Sequence, residues 1–352
     1  MSNLQVGLAV AGGIVLVGVV AHGAWTARKN APRQAQPETV PNPSNHGNTG
    51  AEQGTEPVLN DSAFDANRFP LPSAARRPAL DALIDVIASV TLETFSTVVS
   101  GEAALLAMPA TRRAGSKPFA VEGYNVAELV WENPVAGHRY GAFQTGVQLA
   151  NRSGALNEIE YSEFVVKTQA FADAINATAE FPEMLDEVAR ARELDQFASA
   201  HDAQLGFTIR ARNASWSPGY VQQNAARLGF VAGSIPGRMV LPAREEGMPP
   251  VLVLSFDSQA ALSEDPAQSA IRSLTLHLDM AQVDRAEQAF DRMRDAAVGL
   301  ADTMDGVVTD DNGQPLVPQA MDSIGAELQT LYDTLEQRDL AAGSPLARRL
   351  FS

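Results

Sequence analysis

The spacing of apolar and polar positions divides the chain into three regimes. Leu4 to Ala24 is a run with no Asp, Glu, Lys or Arg, followed by Trp25, Arg28, Lys29 and Arg33. About twenty uncharged residues are enough to cross a ~30 Å hydrocarbon core as a helix. A cleaved signal peptide is the competing reading, but its positive n-region is missing from Met1-Ser2-Asn3. Cations on the C-terminal side place the body in the cytoplasm and the N-terminus across the membrane. Residues 1–27 are therefore expected to be a single transmembrane anchor. Residues 28–78 hold prolines from Pro32 to Pro78 among Gln, Asn, Gly and Ser, with few large apolar residues. Such a composition cannot offset chain entropy, so a disordered linker is expected.

From Leu80 onward the periodicity is that of folded elements. Leu80, Leu83, Ile84 and Ile87 have helical spacing. Strands are expected at Phe119–Tyr124, Leu129–Trp131 and Arg139–Leu149, then helices over Glu158–Thr178 and about Glu183–Ser199. This makes residues 79–203 an α+β block. A second block, residues 204–340, opens with alternating Leu205, Phe207 and Ile209. Ser217-Pro218 is a helix start, and Gly229 a helix stop. Arg238–Leu241, Val251–Phe256 and Leu274–Leu278 are expected strands. Ala286 to Met304 has the three- and four-residue steps of a long helix. Asp311-Asn312-Gly313 is a hairpin turn, and Met321, Ile324, Leu328, Leu331 and Leu335 mark one face of a final helix. Residues 341–352 are left as a tail. Short connections between the strands predict an antiparallel sheet with helices on one face and the other face open unless a ligand or the first block covers it.

Charge and composition narrow the chemistry. The formal net charge is −16, with no Lys/Arg cluster beyond the anchor's flank, which argues against a nucleic-acid partner. No cysteine is present, so disulfides, thiolate catalysis and cysteine zinc sites are excluded. The histidines lack a zinc spacing, and neither a phosphate loop nor a nucleophile elbow occurs. Asp310-Asp311 reads as a polar turn, because the calcium-loop spacing is missing. The sequence thus calls for no cofactor and no metal, and weight moves from catalysis to binding. The apolar strands Val251–Phe256 and Leu274–Leu278 are the natural floor of a peptide groove.

Several motifs resemble the ZipA family of bacterial cell-division proteins. Gly229-Phe230-Val-Ala-Gly233 is similar to the family's Gly-Phe-x-x-Gly, and Leu274-Thr-Leu-His-Leu278 to the strand before its second helix. Ala301-Asp302-Thr-Met-Asp-Gly306-Val307-Val308-Thr-Asp310-Asp311, followed by Pro318-Gln319, is the most specific match. The resemblance implies a split β-α-β domain whose exposed sheet face binds the C-terminal peptide of FtsZ. It implies no enzymatic activity. Carried over to this chain, the contact residues would be Phe207, Ile235, Leu254, Phe256, Ser258, Thr275 and His277, with His277 standing where the family has a large apolar residue. It also implies a single-pass protein of the bacterial inner membrane, held through residues 4–24 and acting at the division site.

Residues 79–203 have no counterpart in that family pattern. Their Phe143–Thr178 stretch echoes Leu274–Met304, which leaves three readings: a diverged second copy of the same half-domain, an unrelated packing partner, or part of one enlarged domain. The alternative function is a membrane-tethered enzyme or ligand sensor with a pocket in residues 119–202, lined by Tyr124, Trp131, His138, Arg139 and Tyr140.

Overall fold

The structure, a computed structural model, describes residues 32–35, 80–92, 98–266 and 268–352. The expected anchor over 4–24 and nearly all of the expected linker lie outside these residues. Among the described residues no helix is long and apolar enough to cross a membrane. The chain forms two compact units, one within residues 37–196 and one made of 197–352 together with the stretch around 32–35.

In the first unit, β1 (Asp85–Leu92) lies between β6 (Arg139–Gln148) and β9 (Ala177–Glu180). Beyond β6 come β4 (Lys117–Asn125) and β3 (Arg113–Ala114), while β2 (Val99–Ser100) pairs with β6, and β5 (Val130–Glu132) with β4. All of these pairings are antiparallel. A small hairpin, β7 (Ala150–Asn151) and β8 (Gly154–Ala155), precedes the long helix. Three helices complete the unit: α1 (Gly101–Ala107), α2 (Glu158–Ala174) and α3 (Met184–His201), the last running on past residue 196. A full capping box at Asn157 and Glu160 starts α2.

The helical spacing at Leu80–Ile87 does not give a helix. One turn closes when Ile84 and Asp85 donate to the Asp81 carbonyl, and then β1 begins. Val86, Ala88 and Val90 alternate inward, and this two-residue period in the following residues wins over the four-residue echo before it. The expected helix Glu158–Thr178 also stops early. Asn176 takes a left-handed φ of 54°, and the chain turns into β9.

The second unit contains β10 (Gln204–Ala211), α4 (Pro218–Arg227), β11 (Val231–Ala232), β12 (Arg238–Leu241), β13 (Leu252–Phe256), the short α5 (Ser258–Ala261), β14 (Ser273–Asp279), α6 (Ala289–Met304), β15 (Gly306–Thr309), α7 (Pro318–Glu336) and α8 (Pro345–Leu350). Its sheet has the order β11-β12-β13-β14-β10-β15, antiparallel at each pairing. The helix start at Ser217-Pro218 is present, with the Ser217 hydroxyl accepting from the Tyr220 amide at 3.2 Å. The Asp311-Asn312-Gly313 turn closes when the Gly313 amide donates to the Asp310 carbonyl at 3.0 Å, with Gly313 at φ 79°. Residues expected to be a tail instead form α8, with Leu350 and Phe351 buried.

Leu274, Leu276 and Leu278 of β14 point to the helical side together with Phe207 and Ile209 of β10, their register partners. There Phe207 meets Phe290 of α6, ring centroids 6.1 Å apart. Phe290, Met293, Ala297, Leu300 and Met304 form the buried stripe of α6.

The two sheets share a topology. The order β3-β4-β6-β1-β9 in the first unit matches β12-β13-β14-β10-β15 in the second, strand for strand along the chain. In both, the fourth strand of the order is the first of the unit in sequence. In both, a long helix, of 17 or 16 residues, leads to the last strand through one left-handed residue, Asn176 or Asp305. A closing helix of 18 or 19 residues follows. The first unit thus repeats the architecture of the second as a whole rather than as a half.

Register alignment of the two sheets places Gly146 of β6 where β14 has His277. In the first unit this spot is filled. A Cβ on Gly146 would come within 2.4 Å of Leu80 Cδ2, and Leu80 is buried. The Leu80 amide donates to Glu122 Oε1 at 3.1 Å, and Gln144 Nε2 donates to Glu122 Oε2 at 2.7 Å. Phe143, Thr145 and Val147 alternate to the other side. There Phe143 packs edge-on against Phe171, and Thr145 hydrogen-bonds Thr168 of α2.

Candidate partner-binding face

The face of the second unit's sheet turned away from α6 is built from two rows of side chains that cross the strands. Residues directly opposite each other in neighbouring strands share a face. Val231, Val240, Val253 and His277 form one row, and Arg238, Ser255, Thr275 and Thr208 the other. The first is aliphatic and ends in an imidazole; the second is polar. Where the rows meet, His277 Nε2 lies 3.1 Å from Ser255 Oγ. A hollow of about 430 Å³ opens over Val253, Ser255 and His277 and is walled by Arg238, Pro249 and Pro250.

The rims are set by turns. Ile235-Pro236-Gly237-Arg238 is a tight turn closed by the Arg238 amide on the Ile235 carbonyl at 3.1 Å, with Gly237 at φ 76°. It leaves Ile235 53% exposed at one edge. At the other edge the Asp311 carboxylate hangs over Gly206, where an added Cβ would lie 3.0 Å from Oδ1. His277 is exposed, yet its neighbours desolvate the imidazole in part and push its pKa below the ordinary range. Asp311 pulls it back up, and Arg238 pushes it down.

Of the residues the sequence nominated, Thr275 and His277 lie on this face and Ile235 stands at its edge. Ser258 is exposed as the first residue of α5, just beyond the end of β13. Leu254, Phe256 and Phe207 point the other way, into the core beneath the sheet, at 0%, 9% and 3% exposure. A strand exchanges its faces at every residue, so a one-residue offset moved the β13 nominations through the sheet. Val253, Ser255, Val240, Val231 and Arg238 take the open positions instead. Ser255 was the available signal: it is the one polar residue of Leu252-Val-Leu-Ser-Phe256, so its parity marks the wet side.

Of the five residues nominated for a pocket in 119–202, His138 and Tyr140 turn to one buried carboxylate, Glu132. Glu132 is buried and accepts from Tyr140 Oη at 2.9 Å, from Asn125 Nδ2 at 3.0 Å and from His138 Nδ1. Burial pushes the Glu132 carboxyl up, but these three partners outweigh it and hold it below the usual carboxylate range. Tyr140 Oη also accepts from the Val135 amide, and the Tyr124 and Trp131 rings meet at a tilt, centroids 5.4 Å apart. The cluster clamps the turn between β5 and β6. Among the described residues no group of three or more His, Asp or Glu is arranged to hold a metal.

The second unit is thus a split antiparallel sheet with helices on one face and, on the other, an aliphatic row beside a polar one. The family described as ZipA, C-terminal FtsZ-binding domain matches residues 255–327, from Ser255 of β13 into α7. This match supports assigning the chain to the ZipA family. No curated relative matches the chain.

Proposed function

We propose that the open face of the second unit binds the C-terminal tail of FtsZ, and that the chain is a cell-division protein holding FtsZ filaments at the inner face of a bacterial inner membrane. The observation that carries this reading is the coincidence of the family match with a hollow over Val253, Ser255 and His277 on the sheet face turned away from α6. An extended tail laid across the strands would bury aliphatic side chains on Val231, Val240 and Val253. Arg238, Ser255 and Thr275 would hydrogen-bond its polar groups. Ile235 and Ser258 bound the same surface. Residues 4–24 would supply the anchor. Many anchored copies facing one polymer raise a modest single-site affinity by avidity. Binding alone suffices for this role, and no catalytic step enters it.

The test is retention of FtsZ, with and without its C-terminal tail, by the whole protein in lipid nanodiscs. Retention that needs the tail is expected. Equal retention of tail-less FtsZ would sink the reading.

A further inference from the structure

We propose that the second unit carries a docking site for its own chain's membrane-proximal segment, residues 32–35, and that this site, not residues 36–79, sets the distance between membrane and FtsZ-binding face. The proposal rests on the anchor reading for residues 4–24.

The site is a recess at the C-terminal end of α6. Arg33 enters it through a single parallel bridge beside Trp216: its amide donates to the Ser215 carbonyl at 2.7 Å, and its carbonyl accepts from the Ser217 amide at 2.9 Å. The residue between these two partners, Trp216, is buried and is itself bridged on both sides to Ile271. Its indole donates to the Met304 carbonyl at 2.8 Å. Arg33 Nη1 donates to that same carbonyl at 3.0 Å, while Nη2 reaches Asp305 Oδ2 at 3.0 Å.

The chemistry is specific. The last carbonyls of a helix have no partner within it, and the helix dipole makes this end negative. Asp305, left-handed at φ 57°, adds a carboxylate beside them. A planar guanidinium can divide its donors between the carbonyl and the carboxylate, and an ammonium on a lysine stem cannot do so in the same plane. Ala35 then lies against the start of α4, with its Cβ 3.7 Å from the place a Cβ on Gly219 would take.

The consequence is mechanical. Residues 25–32 are the only chain between the expected anchor and the docked arginine, and eight residues span at most ~28 Å. The stretch after Ala35 is then a connection between the two units instead of a membrane spacer.

The chain has no cysteine, so a cross-link reads the contact directly. A Cβ separation of about 3.8 Å is that of an ordinary disulfide. The experiment uses the full protein in nanodiscs carrying Ala35→Cys and Gly219→Cys, oxidised mildly, with free thiols counted by mass spectrometry. Loss of both thiols in the monomer is expected, and adding Arg33→Glu should slow it about tenfold or more by emptying the docked state. Arg33→Lys gives a milder second variant. Free thiols in the double-cysteine protein, disulfides between chains, or an unchanged rate with Arg33→Glu would each overturn the proposal. Carbonate extraction of membranes tests the anchor separately: a protein that cross-links but is washed off keeps the docking site and loses the anchor.

Discussion

His277 and Ser255 face each other at 3.1 Å from adjacent strands, at the point where the aliphatic and polar rows of the open sheet face meet. The imidazole is held partly desolvated there, so its native pKa is lower than in the unfolded chain. Unfolded chains take up the proton first as pH falls through the ordinary histidine range near ~6.5, and stability drops with it. Asp311 opposes this shift and Arg238 adds to it. His277→Leu is therefore expected to flatten the change in urea midpoint between pH 7.5 and pH 5.5. An unchanged slope would show that the imidazole does not carry it.

The two parities of β13 give a paired prediction. Val253→Glu places a charge on the open face and should weaken tail binding by about tenfold or more, ~1.4 kcal/mol, with little change in melting temperature. Leu254→Ala empties a fully buried core position and should cost roughly 2–5 kcal/mol of stability. Calorimetric titration and thermal melts of the two variants separate surface from core. A reversed pattern would mean that the register is displaced by one residue.

Glu132 predicts an acid-sensitive clamp in the first unit. Its carboxylate holds Tyr140, Asn125 and His138, and its native pKa lies below the unfolded value. The stability it contributes is present above ~4.3 and is lost as pH falls through the native value. Glu132→Leu leaves a buried phenol and amide without their acceptor and should cost ~1–3 kcal/mol at neutral pH. The difference from wild type should shrink in acid, as read by amide exchange of β5 and β6.

Gly237 predicts a local backbone defect. Its φ of 76° suits glycine, and a Cβ there would stand 2.7 Å from the Phe256 carbonyl oxygen. Gly237→Ala should destabilise by ~1–3 kcal/mol and open the β12–β13 pairing first. Faster exchange of the Phe256 amide, which donates to the Gly237 carbonyl at 2.8 Å, is the direct readout.

Periodicity was a good guide where one face is wet and one is dry. Leu274, Leu276 and Leu278 against Thr275 and His277 fix the orientation of β14 with no further information. The hairpin at Asp311-Asn312-Gly313 and the start at Ser217-Pro218 depend on a few residues with narrow backbone preferences, so local sequence specifies them. Leu252–Phe256 is different. Four of its five residues are apolar, and its sidedness is decided by pairing with β14, a relation between segments some twenty residues apart. Leu80–Ile87 failed for a related reason: four apolar residues satisfied a helical period, while the sheet partners Gly146 and Val147 needed an extended strand. Arg33 reads in sequence as part of the anchor's basic flank, because nothing near it in the chain points to Met304 or Asp305.

Leu80 over Gly146 bears on how many ligands one molecule can hold. The two sheets offer topologically equivalent seats, but the first is stoppered by the chain's own leucine, and among the described residues the second has no such plug. On the proposed reading the described residues offer one seat per molecule, enough to decorate a filament but not to staple two together. Any lateral bundling must then come from crowding of separate copies on the lipid surface. Unstoppering the first seat with Leu80→Gly would be the simplest way to ask whether a bivalent version behaves differently.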